Sequence, residues 1–319
     1  MVDGDDPEAL PLLAADLERL RFRARREMPA AGLAGVRRRR IGQSLEYRDH
    51  RAYVLGDDVR TIDWRASERL PDAHDLLVRN FEAEERFTVA LAVDNRPAMM
   101  LPEAAPAALV ARWIVEATAV IATREQLAVR FLPLFAGGPE PSRPAAGKAV
   151  AAAARGFCAG IGRGPFTADE PALATAAIAK VLPPACALIV VTTATFADPH
   201  GRFRSLLASA GRGFRQVVVA VLDPWPFERA LLEGGSVAID AAGGAGARDG
   251  VFDPSGAELD TSATALEQHR AALLAAAPAR FSFPWPATTA APVPALRASF
   301  RRAFMEFAVT TQLFARQAR

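Results

Sequence analysis

The sequence has few of the residues that usually build metal or disulfide sites. Only two cysteines, Cys158 and Cys186, and four histidines occur in 319 residues. The histidines stand at positions 50, 74, 200 and 269, without the close spacing of metal-ligand motifs. Two thiols in a chain without an export signal are expected to stay reduced and structural.

Long apolar runs are scarce as well, and no secretory leader is expected. The N-terminus begins with acidic residues rather than with a basic region followed by an uncharged core. The best candidate for a membrane span runs from Ala104 to Ala122. Arg112 and Glu116 interrupt it at i, i+4 spacing, which favours a buried amphipathic helix. We therefore expect a cytoplasmic protein without a membrane span.

Catalytic motifs are sparse. The stretch from Gly160 to Gly164 follows no predicted strand and lacks the third glycine of a dinucleotide fingerprint. Ser236 follows two glycines but is not followed by the glycine of a nucleophile elbow. The formal net charge is only +2, so the overall charge indicates neither nucleic acid nor an anionic membrane as a partner. We expect no enzymatic activity and no cofactor.

The densest polar cluster lies between Tyr47 and Arg65. Gly56-Asp57-Asp58 has turn chemistry, while Ile62 and Trp64 alternate with polar residues at the two-residue period of a half-buried strand. Guanidinium groups can bind carboxylates through two parallel hydrogen bonds, so the cluster predicts a structural ion-pair network. Its members are Arg48, Arg51, Tyr53, Gly56, Asp57, Asp58, Arg60, Asp63, Trp64 and Arg65.

This cluster resembles the signature of the DUF58 family, in which Gly-Asp-Asp-x-Arg-x-Ile-Asp-Trp precedes a von Willebrand factor A-like (vWA-like) domain. The resemblance continues into the apolar run from Phe87 to Val93, which ends at Asp94. It implies an N-terminal helix, basic segment and signature in residues 1–85, a vWA-like domain in residues 86–255 and C-terminal helices in residues 256–319. Residues 56–64 are expected to hold the lead-in against the core, with the Trp64 indole buried.

The predicted fold class is α/β. Apolar runs predict strands at 87–93, 127–135, 187–192 and 216–222, with helices between them, which is typical of a doubly wound, mostly parallel sheet with helices on both faces. Short strands are predicted at 237–240 and near Val251. Helices are predicted at 11–28, 262–277 and 294–318, and a small β-rich lead-in precedes the sheet.

In vWA domains the first strand ends in Asp-x-Ser-x-Ser, which binds a divalent metal together with a threonine and an aspartate from later loops. This chain reads Asp94-Asn95-Arg96-Pro97-Ala98, so both serine positions are lost. The later loop reads Thr-Thr-Ala-Thr from position 192, and Ala194 cannot bind a metal. We therefore predict a degenerate adhesion-site face without a metal, formed by Asp94, Asn95, Arg96, Ala98, Thr193 and Thr195.

Asp94 is then expected to cap a helix or to pair with Arg96. Asp198 lies further along the later loop and would reach Asp94 only if the chain looped back. We also hypothesise that Arg96 accepts a partner's carboxylate through a bidentate pair, in place of the metal.

By resemblance, such proteins work with MoxR-type AAA+ ATPases that mature client complexes. The sequence thus predicts an adaptor between an ATPase and a client, with calcium loading of methanol dehydrogenase as a narrower hypothesis. Two alternatives stay open. One is a metal-dependent hydrolase that uses Asp57, Asp58 and Asp63. The other is a nucleic-acid-binding module that uses the nine arginines from Arg19 to Arg40, although stacking aromatics are scarce there and a basic run of this kind is usually a solvated face or a clamp for acidic protein surface.

Overall fold

The computed structural model describes residues 9–23, 45–54, 59, 62–69, 76–83, 87–138, 140–163, 172–183, 185–212, 215–235, 237–239 and 250–316. The chain divides into two compact units, residues 1–28 with 87–319 and residues 29–86. This division differs from the predicted boundaries at both ends of the chain. Leu17 and Phe22 share a core cluster with Phe304 and Phe314, so the two terminal segments belong to the same unit.

The helices, in chain order, are α1 (Ala14–Glu18), α2 (Trp64–Ser67), α3 (Ala107–Arg124), α4 (Ala149–Cys158), α5 (Thr175–Val181), α6 (Arg202–Ala210), α7 (Trp225–Glu233), α8 (Gly256–Leu273) and α9 (Pro292–Thr310). The strands are β1 (Leu20–Phe22), β2 (Leu45–Ala52), β3 (Leu77–Ala83), β4 (Thr88–Val93), β5 (Ala128–Pro133), β6 (Cys186–Thr192), β7 (Arg215–Asp223), β8 (Val237–Ile239), β9 (Gly250–Phe252), β10 (Arg280–Pro284) and β11 (Phe314–Arg316). A short 3-10 helix spans Pro97–Met100.

A five-stranded parallel sheet forms the centre of the first unit, in the order β10-β7-β6-β4-β5. Every residue of β6 is buried, as expected for a central strand that is covered on both faces. The α/β fold predicted from the sequence is confirmed. Because all five strands run in one direction, their carboxyl ends meet along one edge, where α/β proteins usually bind ligands or partners.

Helices cover both faces of this sheet. Val89 and Leu91 belong to a core cluster with residues of α1, α3, α4 and α9, whereas Ala90 and Ala92 belong to a second cluster with residues of α5 and α6. Since successive side chains of a strand point to opposite faces, the two clusters lie on opposite sides of the sheet. The arrangement is the doubly wound α/β architecture predicted from the sequence.

The helix predicted from Pro11 to Met28 is wrong. Helix α1 ends at Glu18, and β1 then pairs antiparallel with β11. Leu20 and Phe22 are fully buried on either side of Arg21, so burial follows the two-residue period of a strand. The predicted C-terminal helix likewise stops at Thr310, because the residues after it form β11.

Strand β10 is a fifth sheet strand that the sequence did not indicate. Its five residues pair in parallel with β7, but only Phe281 and Phe283 among them are apolar. So short an edge strand gives little periodic signal. Helix α8 begins at Gly256, earlier than predicted, because Ser255 and Glu258 form a capping box in which each side chain bonds the other residue's backbone.

The predicted amphipathic helix over Ala104 to Ala122 is present as α3. Arg112 donates from Nε to Oε1 of Glu116 at 2.9 Å, which is the i, i+4 pair expected from the spacing. Within the described ranges, no helix combines the length and the apolar character needed to cross a membrane.

The second unit contains the antiparallel pair β2 and β3, with an irregularity between Tyr47 and Asp49. Ile62 bridges Val78 of β3, but the strand pattern predicted through Trp64 is wrong. Trp64 begins α2, because Oδ1 of Asp63 accepts the backbone N–H of Ala66 at 3.1 Å and caps the helix.

Candidate functional site

The predicted adhesion-site face lies at the carboxyl edge of the parallel sheet. Asp94 follows β4 and Thr193 follows β6, and these strands are direct neighbours. The backbone N–H of Asp94 donates to the carbonyl of Val191 at 2.8 Å, so the pairing extends to the base of the site. Sheet topology therefore brings together two loops that are about one hundred residues apart in the sequence.

Asp94 and Arg96 form a buried bidentate ion pair. Nε of Arg96 donates to Oδ1 of Asp94 at 3.0 Å, and Nη2 donates to Oδ2 at 2.6 Å. The Asp94 side chain is completely buried, and only 9% of the Arg96 side chain is exposed. A carboxylate in such a position requires a charged partner, which the planar guanidinium supplies with matching geometry. The predicted pairing of these two residues is confirmed.

The last residue of β6 and the loop after it complete the hydrogen bonding. Thr192 donates from Oγ1 to Oδ2 of Asp94 at 2.9 Å, and Oγ1 of Thr193 accepts from Nη2 of Arg96 at 3.2 Å. The hydroxyl groups of Thr193 and Thr195 lie 2.9 Å apart. Ala194 turns the chain between them with a φ of +52°, a left-handed conformation that is strained for a residue with a Cβ. Three of the predicted face residues thus meet Asp94 or one another.

Two aromatic rings cover the Arg96 guanidinium. Its central carbon lies 4.7 Å from the ring centre of Phe135 and 5.0 Å from that of Phe196, and the two rings pack edge to face. Guanidinium groups are attracted to the faces of aromatic rings, most strongly where water is excluded. Neither ring was predicted from the sequence as part of the site. A visible signal was that each aromatic residue closely follows a parallel strand, Phe135 after β5 and Phe196 after β6.

Asn95 ties the site to the segment after β5. Its Nδ2 donates to the carbonyl of Phe135 at 3.1 Å, and its Oδ1 accepts the backbone N–H of the same residue at 2.9 Å. A Cβ at Gly138 would stand 1.9 Å from Nδ2, so only glycine fits beside this amide. Gly162 also packs here, since its N–H donates to the carbonyl of Asn95 at 3.2 Å. The glycine-rich loops therefore make close backbone approaches to the site.

The residues present do not fit a divalent metal. Both oxygens of Asp94 already accept hydrogen bonds, Oδ1 from the backbone N–H and Nε of Arg96 and Oδ2 from Nη2 and from Thr192. A metal bound to this carboxylate would also lie against a fixed guanidinium, and Mg²⁺ requires oxygen ligands in near-octahedral arrangement. In the part of the chain that the structure describes, no cluster of three or more His, Cys, Asp or Glu side chains is arranged to hold a metal.

Asp198 was considered in the sequence as a residue that could loop back toward Asp94. The structure gives it a different role. Its Oδ1 accepts the backbone N–H of Arg202 at 2.7 Å, and Oδ2 accepts that of Phe203 at 3.1 Å. These are the first residues of α6, where N–H groups lack partners within the helix. Asp198 therefore caps α6.

The hypothesis that Arg96 receives a partner's carboxylate stays a prediction, and such a contact cannot use the Nε and Nη2 edge of the guanidinium. A bidentate contact requires two parallel N–H groups on one edge of the guanidinium. The edge formed by Nε and Nη2 is occupied by Asp94, only two residues away in the chain. Arg96 consequently neutralises a carboxylate of its own chain, that of Asp94. Ala98 lies in the exposed part of the following 3-10 helix and does not contact the pair through any polar group.

Only part of the predicted signature network lies within the described residues. Oδ2 of Asp63 is 3.0 Å from Nε2 of His50, while the backbone N–H of Tyr53 donates to the carbonyl of Leu76 at 2.7 Å. Trp64 is 60% exposed, so the expectation of a buried indole is wrong, and Arg65 is exposed too. Outside the described residues lie Gly56, Asp57, Asp58 and Arg60, together with the side chains of Arg48 and Arg51.

Comparison with known proteins identifies the segment that contains both the signature and Asp94. Residues 49–129 match the model of a family described as "Protein of unknown function DUF58". The chain carries a DUF58 region. Among curated proteins, none matches this sequence.

A solved structure also resembles the chain, the conserved hypothetical protein BatB from Bacteroides thetaiotaomicron. The two are 16% identical, with a TM-score of 0.36, over 68% of this chain and 98% of the BatB chain.

The DUF58 region contains only half of the candidate site. It runs from Asp49 in β2 to Val129 in β5 and includes Asp94, Asn95 and Arg96. Phe135, Phe196 and the threonines after β6 lie beyond it. The ion pair therefore belongs to the DUF58 region, while the rings and hydroxyl groups that hold it come from later parts of the sheet.

Proposed function

We propose that this protein is a non-enzymatic adaptor that binds other proteins through the carboxyl edge of its sheet. The observation that supports this is the buried pair of Asp94 and Arg96. It fills the adhesion site with an internal cation and engages both oxygens of the Asp94 carboxylate, so neither oxygen is free to bind a metal or a substrate. What the site retains is a rigid face that needs no ion to take its shape.

The apolar rim of this face offers the contact surface. Met100 and Leu101 directly follow the site loop and are 41% and 58% exposed. Met100 also lies against Gly162, where a Cβ would come within 2.4 Å of its Cγ. Exposed apolar side chains on a rigid support are the usual anchors of protein interfaces, and methionine adapts well to different partners.

The partner in this proposal is a MoxR-type AAA+ ATPase, with a client complex on a second surface of the adaptor. The narrower form, in which the client is a methanol dehydrogenase that receives calcium, follows from the DUF58 resemblance alone. No described feature favours the hydrolase alternative. Of its three acids, Asp63 caps α2 and contacts His50, which is a structural use of a carboxylate.

The experiment is a pull-down and an ATPase assay with a MoxR-type AAA+ ATPase from the same organism. Leu101→Asp should weaken capture at least tenfold, because a charge would be buried in the interface, which costs more than about 1.4 kcal/mol. The matched control is Val309→Asp, since Val309 is similarly exposed, at 52%, on α9.

Chelator provides the second arm. Capture should be the same with and without EDTA, because the face contains its own cation. Equal capture by Leu101→Asp and wild type would remove this face from the proposal, and capture that disappears with EDTA would show that a metal is required after all.

A further inference from the structure

A second candidate interaction site lies on one face of the sheet, between α1 and α9. The two helices border an open cleft of about 420 Å³. All of its lining residues belong to the same compact unit. They are Asp16, Arg19, Ala298, Arg301, Arg302 and Met305.

The cleft already binds one carboxylate of its own chain. Nε of Arg301 donates to Oδ2 of Asp16 at 2.6 Å, and Nη2 donates to Oδ1 at 3.1 Å. This fork geometry is the one that arginine uses to recognise carboxylates. The pair fixes one wall of the cleft and shows that a carboxylate fits between the two helices.

The other two arginines of the cleft remain available. Arg19 and Arg302 are both exposed, and neither donates a side-chain hydrogen bond to any group in the described ranges. Three guanidinium groups and one carboxylate line the cleft, so its net charge is +3 − 1 = +2. Positive charges held side by side repel each other until an anion binds, which gives the cleft an electrostatic preference for acidic ligands.

The lining favours an acidic protein segment over nucleic acid. None of the described lining residues is aromatic, whereas sites for single-stranded nucleic acid stack bases on aromatic rings. Ala298 and Met305 provide apolar surface of the kind that the methylene groups of Glu and Asp side chains can cover.

We propose that the cleft between α1 and α9 binds an acidic segment of a partner protein, with Arg19 and Arg302 each receiving one carboxylate. The site is independent of the face at the carboxyl edge. It uses other helices, and it would give an adaptor a second contact surface of opposite character, charged rather than apolar.

The test uses the whole 319-residue chain and a fluorescent octaglutamate peptide, with octaglutamine as the uncharged comparison. Binding is measured by fluorescence anisotropy at low and at physiological salt. Wild type should bind octaglutamate only, and the affinity should fall as salt rises. Arg19→Glu and Arg302→Glu should each weaken binding about tenfold or more, since each replaces attraction by repulsion.

Two further variants make the result specific. Arg302→Lys keeps the charge but loses the fork, so it should bind with intermediate affinity. Arg212→Glu is the matched control, because Arg212 is an exposed arginine beyond the end of α6 and outside the cleft. It should bind like wild type, and circular dichroism should show that all variants are folded.

Several results would overturn the proposal. If Arg212→Glu weakens binding as much as Arg302→Glu, only diffuse charge is involved. If an oligothymidine binds more tightly than octaglutamate and depends on the same two arginines, the cleft is a nucleic-acid site. Octaglutamate binding that survives both cleft substitutions would place the acidic contact elsewhere. None of these results bears on Leu101, so this proposal and the adaptor proposal fail separately.

Discussion

Nη2 of Arg96 lies 2.6 Å from Oδ2 of Asp94, in a pair whose members are separated by a single residue in the chain. The pair is buried at the end of β4, against the rings of Phe135 and Phe196. An internal arginine thus satisfies the carboxylate at the position where the sequence predicted a degenerate metal site. Because the cation is an arginine of the same chain, this face needs no bound ion to take its shape.

Removing the arginine should destabilise the protein. Arg96→Ala leaves the Asp94 carboxylate buried without its charged partner, and we expect the free energy of unfolding to fall by about 3 to 5 kcal/mol. Denaturant unfolding measures this. The control is Arg112→Ala, which breaks the partly exposed pair with Glu116 and should cost less than about 1 kcal/mol. A loss in Arg96→Ala no larger than in this control would mean that the buried pair contributes nothing.

Divalent metals should not bind at Asp94. Calorimetric titration with Mg²⁺, Mn²⁺ or Ca²⁺ should show no stoichiometric binding, and EDTA should leave the melting temperature unchanged, because the carboxylate oxygens are already engaged. Asp94→Asn provides the specificity control. A stoichiometric metal that binds wild type but not this variant would contradict the prediction.

The exposed tryptophan of the signature should contribute little to stability. Trp64→Ala should change the free energy of unfolding by less than about 0.5 kcal/mol, because 60% of the residue is exposed. The comparison is Trp113→Ala, since Trp113 is fully buried and its loss should cost about 3 to 5 kcal/mol. If the two variants melt alike, the indole of Trp64 is packed against something in solution.

The carboxyl of Glu228 should make stability depend on pH. Burial raises its pKa above the ordinary value of 4.5, an effect that nearby Arg270 opposes. The folded protein therefore keeps this proton at pH values where the unfolded chain has lost it, so stability falls as pH rises through that window. Glu228→Gln should melt at a higher temperature than wild type at neutral pH, and the gain should vanish in acid. Glu267→Gln, at an exposed position of α8, should show no such difference.

Both thiols should be slow to react in the folded protein. Burial raises the pKa of Cys158 to about 12 and that of Cys186 to about 11, so little of the reactive thiolate is present near neutral pH. A chromogenic disulfide reagent should react only slowly with either thiol in the folded protein. After denaturant is added, both thiols should react. Rapid labelling of the native protein would show that one cysteine opens to solvent.

Several elements were predictable because their signals are local. The apolar runs that become β4, β6 and β7 contain few polar residues, as expected for strands that are covered on both faces. The i, i+4 spacing of Arg112 and Glu116 likewise predicts that both side chains lie on one face of α3. By contrast, the sequence predicts that Leu20 to Phe22 end a helix, whereas these residues form a strand because they pair with β11. Trp64 fitted a strand until the cap at Asp63 started a helix. Each error arose where a distant segment or a single capping bond overrode a weak periodic pattern.

The sequence by itself determined the DUF58 signature, the α/β class and the loss of the hydroxyl ligands around Asp94, because all three depend on residue types at short spacing. Only the tertiary structure decided what Arg96 does. Its rotamer depends on Phe135, Phe196 and Thr193, which come from two other loops, and these contacts direct its forked edge toward Asp94 rather than toward a partner. The cleft with Arg19 and Arg302 likewise exists only because α1 packs beside a helix from the other end of the chain.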